Sequence, residues 1–244
     1  MTRKRIAVLG VMTFLVGTFG LFPARAAYQW FVPEQVRLSG ISGSIWNGKA
    51  SAGRVAGIYF TNLKWSFKPL SLFGGKFAID ASVNAAGGQI SLTAGVGISG
   101  NVAVNDLVAS LSLSDIHPAL RANRIEGMVN MQIDSLVLKN GWPAEAEGSI
   151  GVGNLVAAAA GPDPLGNFHV DITTQDGDVI GLVKDVGAIL DVTGTLRLAD
   201  DRSYSLVGDV APNSETPASL NRNLRGLGTP DENGQRQFRL EGAL

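Results

Sequence analysis

The sequence predicts an all-β protein: a long antiparallel, strongly twisted sheet, formed as an open barrel, a sandwich or a groove, preceded by one N-terminal transmembrane helix. Three observations predict this fold class. Apolar and polar side chains alternate along most of the chain, glycine-containing turns separate the alternating segments, and an uncharged apolar run lies near the N-terminus. The charged fraction is only 17%, and the 31 glycines suit strands and turns better than surface helices.

The N-terminal run predicts a membrane anchor. Arg3, Lys4 and Arg5 precede residues 6–22, which carry no charge and reach the short end of the lengths that span a bilayer. Cations on the leading side keep the N-terminus in the cytoplasm, so the remainder crosses the inner membrane into the periplasm of a Gram-negative cell. The alternative is a signal peptide cleaved after Ala26. The apolar residues assigned to the anchor are Ile6, Leu9, Val11, Phe14, Leu15, Val16, Phe19, Leu21 and Phe22.

Residues 1–27 are therefore expected to form a basic cytoplasmic tip and the anchor, and residues 28–244 a periplasmic β domain. Tyr28, Trp30 and Phe31 suit the membrane interface just beyond the anchor. Gly75–Asp80 is echoed by Gly166–Asp171, so two repeated halves are one option for the β domain. The other option is chance similarity between glycine-rich strands.

Alternation with a period of two predicts about a dozen strands. Leu63, Trp65 and Phe67, for example, interleave with polar residues, and the same pattern returns in residues 76–83, 90–98, 107–114, 129–134, 168–172 and 190–198. Antiparallel hairpins are expected because Asn-Gly and Asp-Gly tolerate positive φ. The turn pairs are Gly74-Gly75, Gly87-Gly88, Asn140-Gly141, Asp176-Gly177 and Asn233-Gly234, and the prolines are expected between strands.

Two short helices are expected in the β domain. One is a single turn within Asp115–Ala122. The other covers Ser219–Leu227, where Ser219 is a suitable N-cap and Gly228 a stop.

Composition and motifs argue against an enzyme, and no cofactor is expected. The net charge of -1 provides no basic surface for nucleic acid, and the absence of cysteine excludes a thiolate metal site. Residues 43–50 nearly form a P-loop, but Ala50 replaces the hydroxyl residue that binds magnesium and no helix pattern follows. Residues 95–100 match a dinucleotide fingerprint but lead into another alternating run.

The remaining polar residues also predict no catalytic or metal site. His117 and His169 are far apart, and both are expected at the surface. No G-x-S-x-G nucleophile motif occurs. The carboxylates Asp163, Asp171, Asp176 and Asp178 lie near turns, where calcium binding is the less favoured interpretation.

An ordered set of glycine, tryptophan and proline motifs follows the anchor. Residues 36–48 form a glycine turn ending in Trp46 and Gly48, and residues 63–72 contain Trp65 and Pro69 in an L-x-W…P-x-S-L pattern. Together with the exit from the membrane at residues 23–25 and with the C-terminal motifs at 203–208, 224–228, 231–234 and 240–242, they cover nearly the whole chain. In order and spacing they resemble the type II secretion protein N family.

The resemblance implies an inner-membrane accessory component of the machine that exports folded proteins across the outer membrane. It supplies no catalytic residues, and its expected partners are other inner-membrane and periplasmic secretion components. Trp46 and Trp65 are expected to be buried strand anchors, beside Gly48 and Pro69. The alternative is a lipid-handling groove similar to the AsmA-like periplasmic proteins, because the same alternation suits a curled sheet with an apolar trough.

Overall fold

The computed structural model of the chain describes residues 20–31, 36–55, 57–85, 87–97, 99–115, 125–158, 160–161 and 163–243. Within these ranges the strands form one 14-stranded sheet in which every pairing is antiparallel. The predicted all-β, antiparallel fold is confirmed. The sheet is a meander: from β3 onward each strand pairs with the next, and it remains open because β1 and β14 lie at opposite ends.

The strands are β1 (Arg37–Ser39), β2 (Ser42–Gly43), β3 (Asn47–Val55), β4 (Ile58–Phe67), β5 (Lys76–Ala85), β6 (Gly88–Gly97), β7 (Val102–Ser112), β8 (Ile125–Lys139), β9 (Trp142–Ala157), β10 (Gly166–Gln175), β11 (Asp178–Asp185), β12 (Leu190–Leu198), β13 (Ser203–Pro212) and β14 (Arg236–Ala243). Two α-helices, α1 (Ala24–Phe31) and α2 (Ala218–Leu224), and two 3-10 helices, η1 (Pro69–Gly74) and η2 (Arg225–Leu227), complete the described elements.

Most of the predicted anchor lies outside the described ranges. This holds for Ile6, Leu9, Val11, Phe14, Leu15, Val16 and Phe19. Leu21 and Phe22 lie just before α1, and the Leu21 side chain is exposed. Among the described residues, no helix is both long and apolar enough to cross a bilayer.

The strand register places apolar side chains on one face of the sheet and polar side chains on the other. One row across strands β4 to β9 consists of Phe67, Ile79, Ala94, Val104, Leu136 and Ala146. The adjacent row on the opposite face consists of Ser66, Asp80, Thr93, Asn105, Ser135 and Glu147. We call these two sides the apolar face and the polar face. Their separation follows from the period-two alternation.

Several register shifts interrupt the described sheet, and three of them coincide with a left-handed Asn or Asp. Asn62 in β4, Asp106 in β7 and Asn154 in β9 have left-handed backbones, with φ of 54°, 51° and 49°, and each lies where the register with a neighbouring strand shifts. Bulges increase local twist and bend the bulged strand. Asn and Asp are the non-glycine residues that adopt this conformation most readily.

Turn chemistry was predicted well at the tight hairpins. Asn140-Gly141 and Asp176-Gly177 form two-residue turns with positive φ at both positions, and Gly87 has a φ of 71° in the β5–β6 hairpin. Two expected turns have other roles: Gly75 ends η1, and Asn233-Gly234 lies in the loop before β14.

Other local expectations were wrong. Pro143 lies within β9, where it is the register partner of Leu138 beside a register shift, and Pro212 ends β13. The C-terminal helix exists, but Pro217 and not Ser219 precedes it, with no side-chain cap. Gly228 does follow η2, with a φ of 108°. Helix α1 was not expected, and most of Asp115–Ala122 lies outside the described residues.

Candidate functional site

The apolar face has no second layer over most of its described width. The described residues form three small clusters of buried apolar side chains, two of them at opposite ends of the sheet. At the N-terminal end, Ala24 of α1 packs with Ile41 and Ala50. At the C-terminal end, Leu220 and Leu224 of α2 pack on β12 and β13. Between these ends the side chains are mostly half-buried against one another, so one sheet face presents a broad apolar surface.

A pocket opens on this face beneath α1. Its volume is about 300 Å³, and its lining includes Tyr28, Ile41, Leu63, Trp65, Phe77 and Ile79. Nearly all of the lining is apolar, which suits hydrocarbon better than a polar ligand.

Trp65 of β4 lines this pocket and is the register partner of Gly48 in β3. A Cβ atom on Gly48 would clash with Cζ2 of Trp65 at 2.3 Å, so only glycine lets the indole ring lie across β3. The ring is held by a hydrogen bond of 3.2 Å from its Nε1–H to the carbonyl of Ile45. These contacts explain why the motif combines tryptophan with glycine.

The structure corrects the expectation for the two tryptophans. Trp65 does lie in a strand, β4, but it is half-buried. Trp46 lies in the bend between β2 and β3 and is also half-buried. The centroid of its ring lies 5.0 Å from the ring centroid of Phe67 and 6.2 Å from that of Phe77. Pro69 begins η1, where its missing N–H costs no helical hydrogen bond.

The two edges of the sheet differ in how their backbone groups are used. At the first edge, Leu38 N–H donates to the Tyr28 hydroxyl and that hydroxyl donates to the carbonyl of Val36, both at 3.1 Å. Arg25 Nε donates to the carbonyl of Ile41 at 2.7 Å. Helix α1 thus occupies backbone groups that another strand would need, and β1 and β2 are too short to offer a continuous ladder.

The last edge is the eight-residue strand β14, paired on one side with β13. It contains no proline, and its Arg239 and Glu241 side chains form an ion pair with each other along the strand, at 2.5 Å. A long edge strand of this kind offers a row of backbone donors and acceptors to a further strand.

The polar face carries two small networks at matching places in the echoed segments. Asp80 accepts hydrogen bonds from Lys68 at 2.9 Å and Thr93 at 2.7 Å, and these bonds lower the pKa of its carboxyl from the ordinary 3.8. Asp171 contacts Lys184 and His169, each at 2.9 Å, and the pKa of this carboxyl is lowered for the same reason. The networks connect β5 with β6 and β10 with β11 across the polar face.

The candidate chemical motifs lie in ordinary strand structure. Residues 47–55 form β3, and residues 99–101, which lead into β7, form no helix. Asp178 pairs with Arg197 across strands, and His117 lies outside the described residues. In the part of the chain that the structure describes, no three potential metal ligands are grouped together.

Sequence reasoning missed the features that distinguish this surface. One sequence feature could have indicated helix α1: residues 24–31 show no alternation, but they were assigned to the exit from the membrane. A second feature could have indicated the bulges: at each of them an Asn or Asp interrupts a run of alternating apolar residues.

Comparison with known proteins agrees with the motif order. The sequence profile described as type II secretion system (T2SS), protein N matches residues 34–239. Type II secretion system protein N of Aeromonas hydrophila is 25% identical over 220 residues, covering 87% of this chain and 86% of the relative. The protein of the same name from Vibrio cholerae is 27% identical over 221 residues, covering 87% of each. No solved structure matches the chain. The chain belongs to the type II secretion system protein N family.

Proposed function

We propose that this protein is a non-catalytic, inner-membrane-anchored periplasmic component of the type II secretion system that acts as a scaffold through protein contacts. In this proposal residues 1–27 form the cytoplasmic tip and single-pass anchor, and residues 28–244 the periplasmic β domain. The observation that carries the proposal is the family match over residues 34–239. The position of β14 at the end of the described sheet supports a role in protein contacts. The partners are other inner-membrane and periplasmic secretion components.

The anchor rests on the charge asymmetry around residues 6–22, with Arg3, Lys4 and Arg5 on one side. Alkaline-carbonate extraction of membranes followed by N-terminal sequencing tests it. We expect the chain to stay in the membrane with its N-terminus intact. Recovery of a released chain that starts at Ala27 would show that residues 1–26 are a cleaved signal peptide.

The scaffold contact is proposed to form by strand addition to β14. Backbone hydrogen bonds would provide affinity, and side chains that point to alternate faces would provide specificity. Gln237, Arg239 and Glu241 belong to the polar face, whereas Phe238 and Leu240 belong to the apolar face. A partner strand would therefore meet charged groups on one side and apolar groups on the other.

Site-specific photocrosslinking in secreting cells tests this contact. Crosslinkers at Gln237 and Glu241 are compared with one at Thr195, which is exposed on the polar face but lies two strands inside the edge. We expect secretion components to be captured from the two edge positions and not from Thr195. Equal capture from Thr195 would show a partner that covers the polar face, and capture of no secretion component would contradict the scaffold.

A second candidate is a periplasmic groove that binds or transfers lipid. The broad apolar face and the apolar pocket beneath α1 favour it. Purification in mild detergent followed by native mass spectrometry would detect bound phospholipid. Phospholipid crosslinked along the apolar face, with no secretion component captured at β14, would favour this candidate over the scaffold.

A further inference from the structure

The loop between β4 and β5 exposes an unusual group of large apolar side chains. Leu70, Leu72 and Phe73 of η1 are 78%, 57% and 91% exposed, and no residue of η1 is buried. Single exposed apolar residues are common, but three within four positions form a patch that marks an interaction site. We call these three residues the apolar loop.

Hydrogen bonds hold the loop in this exposed arrangement. The Ser71 hydroxyl donates to the carbonyl of Lys68 at 2.6 Å and accepts from Ala78 N–H at 3.2 Å. Lys68 N–H donates to the carbonyl of Ala78 at 2.9 Å, and Gly75, in a left-handed conformation, donates back to η1. The serine between the two leucines thus ties the loop to β5, while the apolar side chains point away from the sheet.

The apolar loop lies at the end of the sheet where the N-terminal apolar run arrives. Ile45 N–H donates to the carbonyl of Phe22 at 3.1 Å, and Pro23 forms a bridge with Ser44. Trp46, the residue after Ile45, is bonded in turn to β4: Phe67 N–H donates a hydrogen bond to the carbonyl of Trp46 at 2.6 Å. Phe67 then leads through residue 68 directly into η1, so a short series of bonded segments joins the end of the predicted anchor to the loop.

Aromatic and cationic residues surround the same place. Phe67 stacks on Phe77 with ring centroids 4.8 Å apart, beside Trp46. Lys68 and Lys76 flank η1 in sequence, both are exposed, and the residues between them include no acid. Lys68 also pairs with Asp80 of β5, which leaves Lys76 as the flanking cation with more freedom to reach a phosphate. Aromatic rings and lysines around an apolar segment are typical of protein surfaces that enter the headgroup region of a bilayer.

We propose that the apolar loop inserts into the periplasmic leaflet of the inner membrane and forms a second, peripheral membrane contact beside the anchor. The ligand is the surface of a phospholipid bilayer, with apolar side chains in the acyl boundary and Lys76 at the level of the phosphates. This inference rests on the proposed anchor for the orientation of the sheet. Two attachments would fix that orientation, whereas a single anchor leaves it free to rotate.

Single-cysteine labelling tests the insertion, because the natural chain contains no cysteine. Full-length Leu70→Cys and Phe73→Cys variants are labelled with a small fluorophore and reconstituted into vesicles of phosphatidylethanolamine and phosphatidylglycerol. Tyr59→Cys is the matched control, since Tyr59 is 62% exposed near the opposite end of β4. At about 3.3 Å per residue, it lies roughly 26 Å along the strand from Phe67.

We expect spin-labelled phospholipid to quench the labels at 70 and 73 several-fold more strongly than the label at 59, and aqueous iodide to do the reverse. Iodide quenching without lipid quenching at 70 and 73 would overturn the proposal. Protection from both quenchers would also overturn it, because the loop would then be covered by protein.

Carbonate extraction of the same vesicles separates this inference from the anchor. If carbonate releases the chain, the anchor proposal fails. Lipid quenching at 70 and 73 before the wash would still support insertion of the loop, and its absence would count against it. Circular dichroism of each variant confirms that the fold is unchanged.

Discussion

Gly48→Ala tests the packing of Trp65, which lies against the apolar cluster formed by Ala24 of α1 with Ile41 and Ala50. The added methyl group would lie 2.3 Å and 2.7 Å from two atoms of the Trp65 ring and 2.9 Å from the carbonyl oxygen of Ser42. All three distances are too short for carbon, and one neighbour is backbone, so either the indole ring or β2 must move. Overpacking of this kind costs about 1–3 kcal/mol in free energy of unfolding.

Gly151→Ala is the matched control. Gly151 also lies inside a strand, β9, but a methyl group added there would come no closer than 4.0 Å to the carbonyl oxygen of Asn130 on the neighbouring strand. Since alanine also restricts the unfolded chain more than glycine does, this change should be neutral or slightly stabilising. For a domain of this size, 1 kcal/mol shifts the melting temperature by roughly 2–4 °C.

A double mutant separates the clash from any general effect of alanine. In a Trp65→Leu background the six-membered ring is absent, so we expect Gly48→Ala to lose the part of its cost that comes from the indole ring, while the 2.9 Å contact with the carbonyl oxygen of Ser42 remains. Coupling energies of about 0.5–3 kcal/mol are usual for residues in direct contact. Thermal and urea unfolding give the required values. Equal melting temperatures for Gly48→Ala and Gly151→Ala, or an unchanged cost in the Trp65→Leu background, would refute the packing argument.

Four other outcomes are expected. Tyr28→Phe removes both hydroxyl bonds to the first edge, at about 0.5–1.5 kcal/mol each, and should lower the melting temperature and raise light scattering, whereas exposed Tyr59→Phe should do neither. Trp142→Phe removes the 2.8 Å bond to the carbonyl of Ala199 that ties two turns together, and should cost about 1 kcal/mol in urea unfolding; an unchanged midpoint would contradict this. Because the pKa of Asp80 is lowered on folding, the stabilisation by its carboxylate is full above pH 3.8 and is lost as the pH falls through the lowered value. The natural chain should therefore melt at a higher temperature than Asp80→Asn at neutral pH, and the two melting temperatures should converge in acid. Circular dichroism should report a spectrum dominated by β structure, and helix near a third of residues would contradict the fold.

Local pattern predicted most of the strands because the period of two is a property of the extended backbone itself. The stripe of Ile90, Leu92 and Ala94 lies on one face as expected. Asn140-Gly141 turns the chain as its dihedral preferences require. Strand ends and helix α1 were harder, because a short helix such as residues 24–31 is stabilised by its contacts with neighbouring residues of the sheet and not by its own propensity.

The candidate site was predicted in its parts but not in its arrangement. Trp46, Gly48, Trp65 and Pro69 were selected from the sequence, and the structure brings Gly48 and Trp65 into contact. The half-burial of both tryptophans was missed because burial depends on which element covers the apolar face of the sheet. Among the described helices, α1 is the one that packs on this face beside Trp65.

The sequence by itself determined the all-β class, the antiparallel hairpins, the division into an apolar and a polar face, and membership of the secretion family. Each of these follows from residues that are neighbours in the chain or from the order of motifs along it. Only the tertiary structure decided that the sheet stays open, that α1 covers its first edge while no described strand pairs with the outer side of β14, and that η1 leaves Leu70 and Phe73 exposed. Alternation determines which side chains share a face, but whether another layer covers that face depends on pairings between residues far apart in the chain.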